Sequence, residues 1–362
     1  MVFGNRCQAS QRRGAHAIGM KRQSIRNILV PIDFSKLSMH AIKTAKWLAQ
    51  RFAASIHLAH VRQFDYAAGF SAPAPPMVPF SFTMYEQDGE KRVVNELNAL
   101  AREYGISSAS CRVLGGGPAF DEICRIAQEI PADLIVMPTH GRTGLKHVFL
   151  GSTAERIVQH SPSPVLVTRG SALQSKNSSR FRINRILVPV DFSCCSREGL
   201  QYAVGFASEF GAKIILVHAT YLGYIYSSEG TALYDIPALQ EAARKNAERR
   251  MRTLVRTAKF GRSKFETVFT DGSPVSDICD LAKNRDVDLI VTSTHGLTGL
   301  QHVVIGSVAE QIVRRAPCAV LVVPSHPKIR MANLAETHGR VVQKTVRERG
   351  KKTQQRSHAV AR

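Results

Sequence analysis

The fold of this chain is decided by the stretch Ile28-Leu-Val-Pro-Ile-Asp33-Phe-Ser35, which returns 158 residues later as Ile186-Leu-Val-Pro-Val-Asp191-Phe-Ser193. A second stretch, Thr139 to Thr168, matches Thr294 to Val323 without a gap, and eighteen of the thirty positions are identical. The identities fall on Gly, His, Pro and Ser as well as on apolar residues, so a shared composition bias does not explain them. The chain is therefore a duplication of one unit.

Within each copy, short apolar runs alternate with segments of helical periodicity. In the first copy, the β-branched run Asn27–Ile32 predicts a strand buried on both faces, and the apolar spacing of Ser35–Phe52 predicts a helix. Further strands are predicted at Ser55–Val61, Ser108–Leu114, Asp133–Met137 and Val165–Thr168, with helices near 85–103, 117–130 and 151–160. This alternation is typical of a parallel sheet covered by helices. The sequence therefore predicts two tandem Rossmann-like α/β domains, each a five-stranded parallel sheet with helices on both faces.

The predicted topology places one ligand site in each copy. Right-handed crossovers leave few strand orders, and in these the first and fourth strands are neighbours. The strand order reverses at this point, and open α/β sheets bind ligands in the crevice outside the carboxyl ends of such strands. We therefore expect a site at this edge of each sheet.

The positive charge of the chain is concentrated at its two ends. The net charge is +21, of which residues 1–26 carry +6 and residues 325–362 carry +8. We interpret residues 1–24 and 325–362 as basic, disordered tails, 25–169 and 183–324 as the two domains, and the polar segment 170–182 as a linker. Because the body between the tails is only mildly basic, contact with nucleic acid is expected, if at all, only through the tails.

Composition also indicates where in the cell the protein is expected. No stretch reaches the roughly 18 apolar residues that a membrane-spanning helix needs, so no membrane partner is expected. The seven cysteines form no CxxC pair and no metal-ligand spacing. The vicinal pair Cys194-Cys195 is interpreted as two thiols rather than as a redox switch. This cysteine usage predicts a reducing, cytoplasmic location.

An aspartate follows the first strand of each copy, Asp33 in one and Asp191 in the other. Both are expected at the carboxyl edge beside the point where the strand order reverses, where a carboxylate can contact a ligand. The alternative is local, because Asp-Phe-Ser also favours a turn and a helix N-cap. Both interpretations stand on the sequence alone.

A glycine turn and a helix start follow the fourth strand of each copy. The first copy reads Thr139-His-Gly-Arg-Thr-Gly144 and then Gly151-Ser-Thr-Ala-Glu155, and the second reads Thr294-His-Gly-Leu-Thr-Gly299 and then Gly306-Ser-Val-Ala-Glu310. Ser-x-x-Glu predicts a capping box, and glycine lets a ligand approach the backbone closely. Helix N-termini attract phosphate through their N–H groups and dipole. Since both copies keep the same spacing, a phosphate site is favoured over turns and caps alone.

Each copy resembles the universal stress protein family. ATP-binding members of that family carry G-x2-G-x9-G-[S/T], and this chain has Pro138-x2-Gly141-x9-Gly151-Ser152 and Ser293-x2-Gly296-x9-Gly306-Ser307. The Pro-x-Asp strand ends, Pro31/Asp33 and Pro189/Asp191, match as well. The resemblance covers residues 25–169 and 183–324. It implies ATP with Mg²⁺ as a conformational signal, two domains packed as an internal pseudo-dimer, an unidentified protein partner, and room for a homodimer of the whole chain.

The resemblance also implies the site residues: adenosine contacts for the aspartates and the ends of the second strands, and phosphate contacts for the glycine turns and helix starts. The implied residues of copy one are Pro31, Asp33, Val61, Met137, Pro138, Gly141, Arg142, Gly151, Ser152 and Thr153. Those of copy two are Pro189, Asp191, Ala219, Thr292, Ser293, Gly296, Leu297, Gly306, Ser307 and Val308. No catalytic residue and no metal ligand from the chain is implied.

The first glycine of the family motif is replaced in both copies, by Pro138 and by Ser293. Proline has no backbone N–H to donate, so copy two is expected to bind better than copy one. Arg142 instead favours binding in copy one, because it can add positive charge to the phosphate site there, whereas Leu297 of copy two cannot.

Two other functions stay open on the sequence. One is a nucleotide-free adaptor with vestigial sites, whose tails or Pro-rich segment 71–80 contact partner proteins. The other is a slow ATP hydrolase, although His140 and His295 have no Ser or Cys partner at useful spacing. The chain also has no Walker-type Gly-Lys-Ser/Thr sequence. Retained nucleotide would separate ATP binding from the adaptor.

Overall fold

The computed structural model describes residues 25–62, 80–115, 117–139, 150–169, 173, 181–220, 235–258, 260–261, 263–294 and 306–325, with the backbone alone for residues 80–88 and 236. Residues 1–24 and 326–362 of the basic tails, most of the linker and the Pro-rich segment up to residue 79 lie outside these ranges. What the sequence predicts for those segments stays a prediction.

The described elements of the first copy follow the predicted alternation. They are, in chain order, β1 (Asn27–Pro31), α1 (Lys36–Phe52), β2 (Ser55–Val61), α2 (Phe80–Glu103), β3 (Ser110–Leu114), α3 (Ala119–Glu129), β4 (Leu134–Pro138), α4 (Ser152–His160) and β5 (Val165–Thr168). Each predicted strand agrees to within two residues at either end. Helix α2 begins five residues before its predicted start near residue 85.

The second copy repeats the same order of elements. They are β6 (Arg185–Pro189), α5 (Cys194–Phe210), β7 (Lys213–Ala219), α6 (Ile236–Thr257), β8 (Phe265–Thr270), α7 (Pro274–Asn284), β9 (Leu289–Ser293), α8 (Ser307–Arg315) and β10 (Ala319–Val323). The predicted α/β architecture of two tandem domains is confirmed.

The ten strands form one continuous sheet in the order β3-β2-β1-β4-β5-β10-β9-β6-β7-β8. Pairing is parallel within each copy. At the centre, β5 and β10 pair antiparallel, with Val167 opposite Val320 and Leu166 opposite Leu321. The two five-stranded sheets therefore meet edge to edge, and each covers a sheet edge that would otherwise expose unpaired backbone groups.

Helices cover both faces of this sheet, and the core on each face is shared by the two copies. One apolar cluster joins α1 and α2 to α5 and α6, and the other joins α3 and α4 to α7 and α8. Alternate residues of each strand point into the two clusters, as Val30 and Leu29 do. Burial of strands on both faces accounts for their continuous apolar runs.

Aromatic side chains join the copies on the first face. Trp47 of α1 stacks on Phe210 of α5 with ring centroids 4.8 Å apart, and on Phe181 at 5.6 Å. Phe52 packs on Phe206 at 5.6 Å. Pairs of this kind add about 0.5–1.5 kcal/mol each beyond the burial of their area. They stabilise the two copies as a single body.

Charged groups join the copies on the opposite face. Arg314 of α8 forms an ion pair with Glu155 of α4 at 3.0 Å. Arg169, which follows β5, donates to the carbonyl oxygens of Val313, at 2.6 Å, and of Arg314. Both faces of the junction are thus bridged, and the two copies pack as an internal pseudo-dimer.

Candidate functional site

A crevice opens at the carboxyl edge of the first copy. β1 pairs with β2 as far as Pro31 opposite Ala59, but it pairs with β4 only at Ile28–Leu134 and Leu29–Ile135. β1 and β4 are the neighbours that the sequence predicts, and they part before their carboxyl ends. Strands that separate here create the crevice in which open α/β sheets bind ligands.

The second copy separates its strands at the same positions. β6 pairs with β7 as far as Pro189 opposite Val217, and with β9 only as far as Leu187 opposite Ile290. Two crevices therefore lie in one continuous sheet, one in each copy.

The aspartates lie at the mouths of these crevices and form turns. Asp33 Oδ1 accepts a hydrogen bond from the backbone N–H of Ser35 at 3.0 Å, and Asp191 Oδ1 accepts from Ser193 at 2.9 Å. The N-cap of the next helix is the serine: Ser35 Oγ accepts from the N–H of Ser38. The local interpretation is thus correct for the turn, and both aspartates are partly exposed at this edge of the sheet.

The side-chain N-cap formed by Ser193 is expected to stabilise the protein. Its Oγ accepts from the backbone N–H of Ser196 at 3.1 Å, so Ser193→Ala removes the side-chain cap of α5. We expect the free energy of unfolding to fall by about 1 kcal/mol, measured by urea denaturation. Ser35→Ala, the matched change in copy one, should have an equal effect, and no change in either variant would contradict the assignment of these caps.

A phenylalanine in strained geometry follows each aspartate. Phe34 and Phe192 have φ of 62° and 63°, in the left-handed region that non-glycine residues rarely enter. Their rings pack on His60 at 5.0 Å and on His218 at 4.6 Å. Strained backbone at equivalent positions of both copies is characteristic of functional sites.

The two histidines hold the aspartate turns in place. His60 Nδ1 donates to the carbonyl oxygen of Ile32 at 2.7 Å, and His218 Nδ1 donates to that of Val190 at 2.6 Å. Burial lowers the pKa of His218, and nearby Arg250 lowers it further, so this ring is neutral at pH 7. This pair was not predicted from the sequence, although the two residues are 158 positions apart, the same interval as the aspartates.

An arginine distinguishes the second crevice. The Arg250 guanidinium lies over the Phe192 ring, 4.5 Å from its centroid. It brings a positive charge to the Asp191 turn of copy two. Arg250 does not stand out in the sequence, because its helix contains several other basic residues.

The helix starts differ from the predicted capping boxes. α4 begins at Ser152 with Gly151 as N-cap, α8 begins at Ser307 with Gly306 as N-cap, and neither start has a side-chain cap. Glu155, the predicted partner in the first box, pairs instead with Arg314 of the other copy. The capping-box prediction was wrong because the glycine adopts the extended cap conformation. Ser152 and Ser307 are left exposed as the first helical residues.

The glycine N-caps are tied to the ends of the fourth strands. Gly151 N–H donates to the carbonyl oxygen of Thr139 at 2.9 Å, and Gly306 N–H donates to that of Thr294 at 2.7 Å. Each helix start is thereby held beside the crevice. The connecting segments lie outside the described residues, together with His140, Gly141, Arg142, His295, Gly296 and Leu297.

The remaining predicted residues lie at the ends of strands around each crevice. Pro138 and Ser293, which replace the first motif glycine, are the buried last residues of β4 and β9, preceded by buried Met137 and Thr292. Val61 and Ala219 end β2 and β7 and are partly exposed. At the helix starts, Val308 is 38% exposed where copy one has Thr153.

Comparisons with known proteins agree with this architecture. A family model described as the universal stress protein family matches residues 24–169 and 182–324. A universal stress protein of Methanocaldococcus jannaschii is 28% identical over 144 residues, which cover 40% of this chain and 84% of the relative. Universal stress protein YxiE of Bacillus subtilis is 27% identical over 145 residues, 39% of this chain and 98% of the relative.

Solved structures share the tandem arrangement. A functionally unknown protein of Pseudomonas aeruginosa superposes with a TM-score of 0.60 at 21% identity, over 87% of this chain and 99% of its own. A universal stress protein of Archaeoglobus fulgidus superposes with a TM-score of 0.53 at 18% identity, over 83% of this chain and 97% of its own. At these identities the likeness shows the fold. Within the described part of the chain, no helix combines the length and apolarity that crossing a bilayer requires.

Proposed function

The chain belongs to the universal stress protein family, and from this premise we propose that each copy binds ATP in the crevice at its carboxyl edge. Binding acts as a conformational signal, in the setting of a stress response. A nucleotide-free adaptor is the alternative, and a search for bound nucleotide distinguishes the two.

One observation supports the proposal most: the same three features meet at the crevice of each copy. These are strands that part, an aspartate turn at the mouth, and a helix start capped by glycine alone. A glycine cap leaves the first backbone N–H groups of α4 and α8 without a side-chain acceptor in the described structure. Such N–H groups, together with the helix dipole, bind phosphate.

The residues fit the two ends of a nucleotide. Asp33 and Asp191 would contact the adenosine, as would the ends of β2 and β7, while the starts of α4 and α8 would hold phosphates. Mg²⁺ would be bound mainly by the phosphates themselves. The hydroxyls of Ser152 and Ser307, exposed and not used as caps, are oxygen ligands of the kind that Mg²⁺ accepts.

Copy two is the stronger site in this proposal. Pro138 offers no N–H in copy one, whereas Ser293 retains its backbone N–H in copy two. Arg250 further places a cation at the Asp191 turn. A cation in a partly buried crevice favours a polyanionic ligand.

The test is to identify by mass spectrometry any nucleotide that co-purifies with the full chain, and then to titrate ATP into the Mg²⁺-loaded protein by calorimetry. We expect one equivalent of ATP to bind tightly in copy two and a second equivalent to bind more weakly in copy one. No co-purified nucleotide and no binding up to millimolar ATP would overturn the proposal and leave the adaptor.

A further inference from the structure

One arginine at the junction of the two copies contacts an acid from each copy. Arg314 Nη2 lies 3.0 Å from Glu155 Oε2 and 2.8 Å from Glu310 Oε1. Glu155 is in the first turn of α4 and Glu310 is in the first turn of α8, the two helices whose starts would hold phosphates. A single guanidinium nitrogen thus pairs with a carboxylate of each of these helices.

These three residues, here called the junction cluster, are partly buried. The side chain of Arg314 is 30% exposed, and those of Glu155 and Glu310 are each 26% exposed. Salt screens charges in such a setting less than it screens charges on an open surface. The charge of the junction cluster therefore acts on a ligand that binds at either helix start.

A residue of copy one fixes the turn that carries the arginine. Arg169 donates to the carbonyl oxygens of Val313 and Arg314 in the last turn of α8, and a cation at the last carbonyl groups stabilises a helix end. Pro324 occupies the matching position of copy two. Because proline has neither a charge nor a backbone N–H, it cannot hold the end of α4 in the same way.

The arginine of the junction cluster belongs to copy two alone, whereas both copies have the glutamate. The gapless match of the two copies places Gln159 of α4 at the position that Arg314 has in α8. Glutamine carries no charge. One positive charge is thus shared by two negative charges, and each glutamate is only partly neutralised.

A first-turn glutamate and a bound phosphate are attracted to the same positive helix end. The helix dipole favours negative charge there, but two negative groups at one helix start repel each other. Arg314 offsets this repulsion because it neutralises part of the charge of each glutamate. Without the arginine, each glutamate would oppose a phosphate with its full charge.

We propose that Arg314 is a positioning residue shared by both nucleotide sites, an inference that rests on the proposed function. It acts through Glu155 on phosphates bound in copy one, and through Glu310 on phosphates bound in copy two. The phosphate site of copy one therefore depends on a residue of copy two.

Removal of single charges tests the proposal, because the arginine and the acids should have opposite effects. Calorimetric titration of Mg²⁺-ATP into Arg314→Gln should show affinity lowered roughly fivefold at both copies, the size expected for one unit charge near a partly exposed site. Glu155→Gln should raise the affinity of copy one, and Glu310→Gln should raise that of copy two. Arg314→Gln and Glu155→Gln break the same ion pair, so a purely structural role would weaken binding in both.

A double variant and a neighbouring arginine complete the design. Adding Glu155→Gln to Arg314→Gln should restore the affinity of copy one and leave copy two weak, with Gly306→Val used to isolate copy one and Gly151→Val to isolate copy two. Arg315→Gln is the matched control, since Arg315 is the exposed neighbour in α8, and its affinities should stay within about twofold of wild type. Equal losses in both arginine variants, or weaker binding in Glu155→Gln, would overturn the proposal.

Inorganic tripolyphosphate distinguishes this inference from the proposed function, because it carries the phosphates of ATP without the adenosine. If wild type binds tripolyphosphate but not ATP, the proposed function is wrong, and the opposite shifts in Arg314→Gln and Glu155→Gln still support the shared arginine. If wild type binds ATP and neither variant changes its affinity, the inference alone is wrong. Binding of neither compound overturns both.

Discussion

ATP binding at copy two is expected to disappear when Gly306 is replaced by valine. The isopropyl group would occupy the space through which a phosphate approaches the first N–H groups of α8. Two charge-assisted hydrogen bonds at about 1.5–3 kcal/mol each correspond to a loss of more than about 100-fold in affinity. Calorimetric titration of Mg²⁺-ATP into Gly306→Val would show one remaining equivalent, in copy one.

The backbone at Gly306 permits this test without unfolding the protein. Its φ of −59° and ψ of 136° are open to any residue, so we expect the free energy of unfolding to change by no more than about 1 kcal/mol. Gly151→Val is the matched variant and should remove binding at copy one alone. Loss of both equivalents in either single variant would contradict two independent sites.

The second large effect is expected from Leu321→Ala, at the junction of the two copies. Leu321 is fully buried and lies opposite Leu166 in the antiparallel pair β10–β5. The cavity left by the substitution should lower the free energy of unfolding by about 3 kcal/mol. Urea denaturation followed by circular dichroism measures this change.

The same experiment tests whether the copies unfold together. Because each apolar cluster contains residues of both copies, we expect one cooperative transition that shifts as a whole. Leu239→Ala is the matched control: Leu239 is 36% exposed on α6, and its loss should change the stability by about 0.5 kcal/mol or less. Two separate transitions, with only one of them shifted, would show that the copies are energetically independent.

The position of the crevice could be predicted from the sequence because each segment that forms it is recognisable from neighbouring residues in the chain. A strand buried on both faces is a continuous apolar run, and the residue that ends it is visible as Asp33 or Asp191. The glycine that precedes the helix after each fourth strand is equally recognisable. Right-handed crossovers then place the first and fourth strands side by side, and the carboxyl ends of parallel strands meet at one edge.

The helix caps were predicted incorrectly because Gly151 and Gly306 take the N-cap positions, and the acid of the first predicted box has a tertiary partner. Ser-x-x-Glu has the pattern of a capping box, but Glu155 pairs with Arg314, a residue 159 positions away in the other copy. A short-range pattern carries no information about such a partner. The His60–Phe34 and His218–Phe192 contacts were missed for the same reason, since they join neighbouring strands rather than neighbouring residues.

The sequence alone determined the duplication, the order of strands and helices, the parallel sheet of each copy and the edge at which a ligand would bind. These follow from periodicity and chain connectivity, which are properties of neighbouring residues. Only the tertiary structure decided that β5 and β10 pair antiparallel, that the core on each face of the sheet is shared by both copies, and that Arg250 belongs to the second crevice. Strands that are apolar on both faces can pair with any similar strand, so the partner is set by how the whole apolar surface packs.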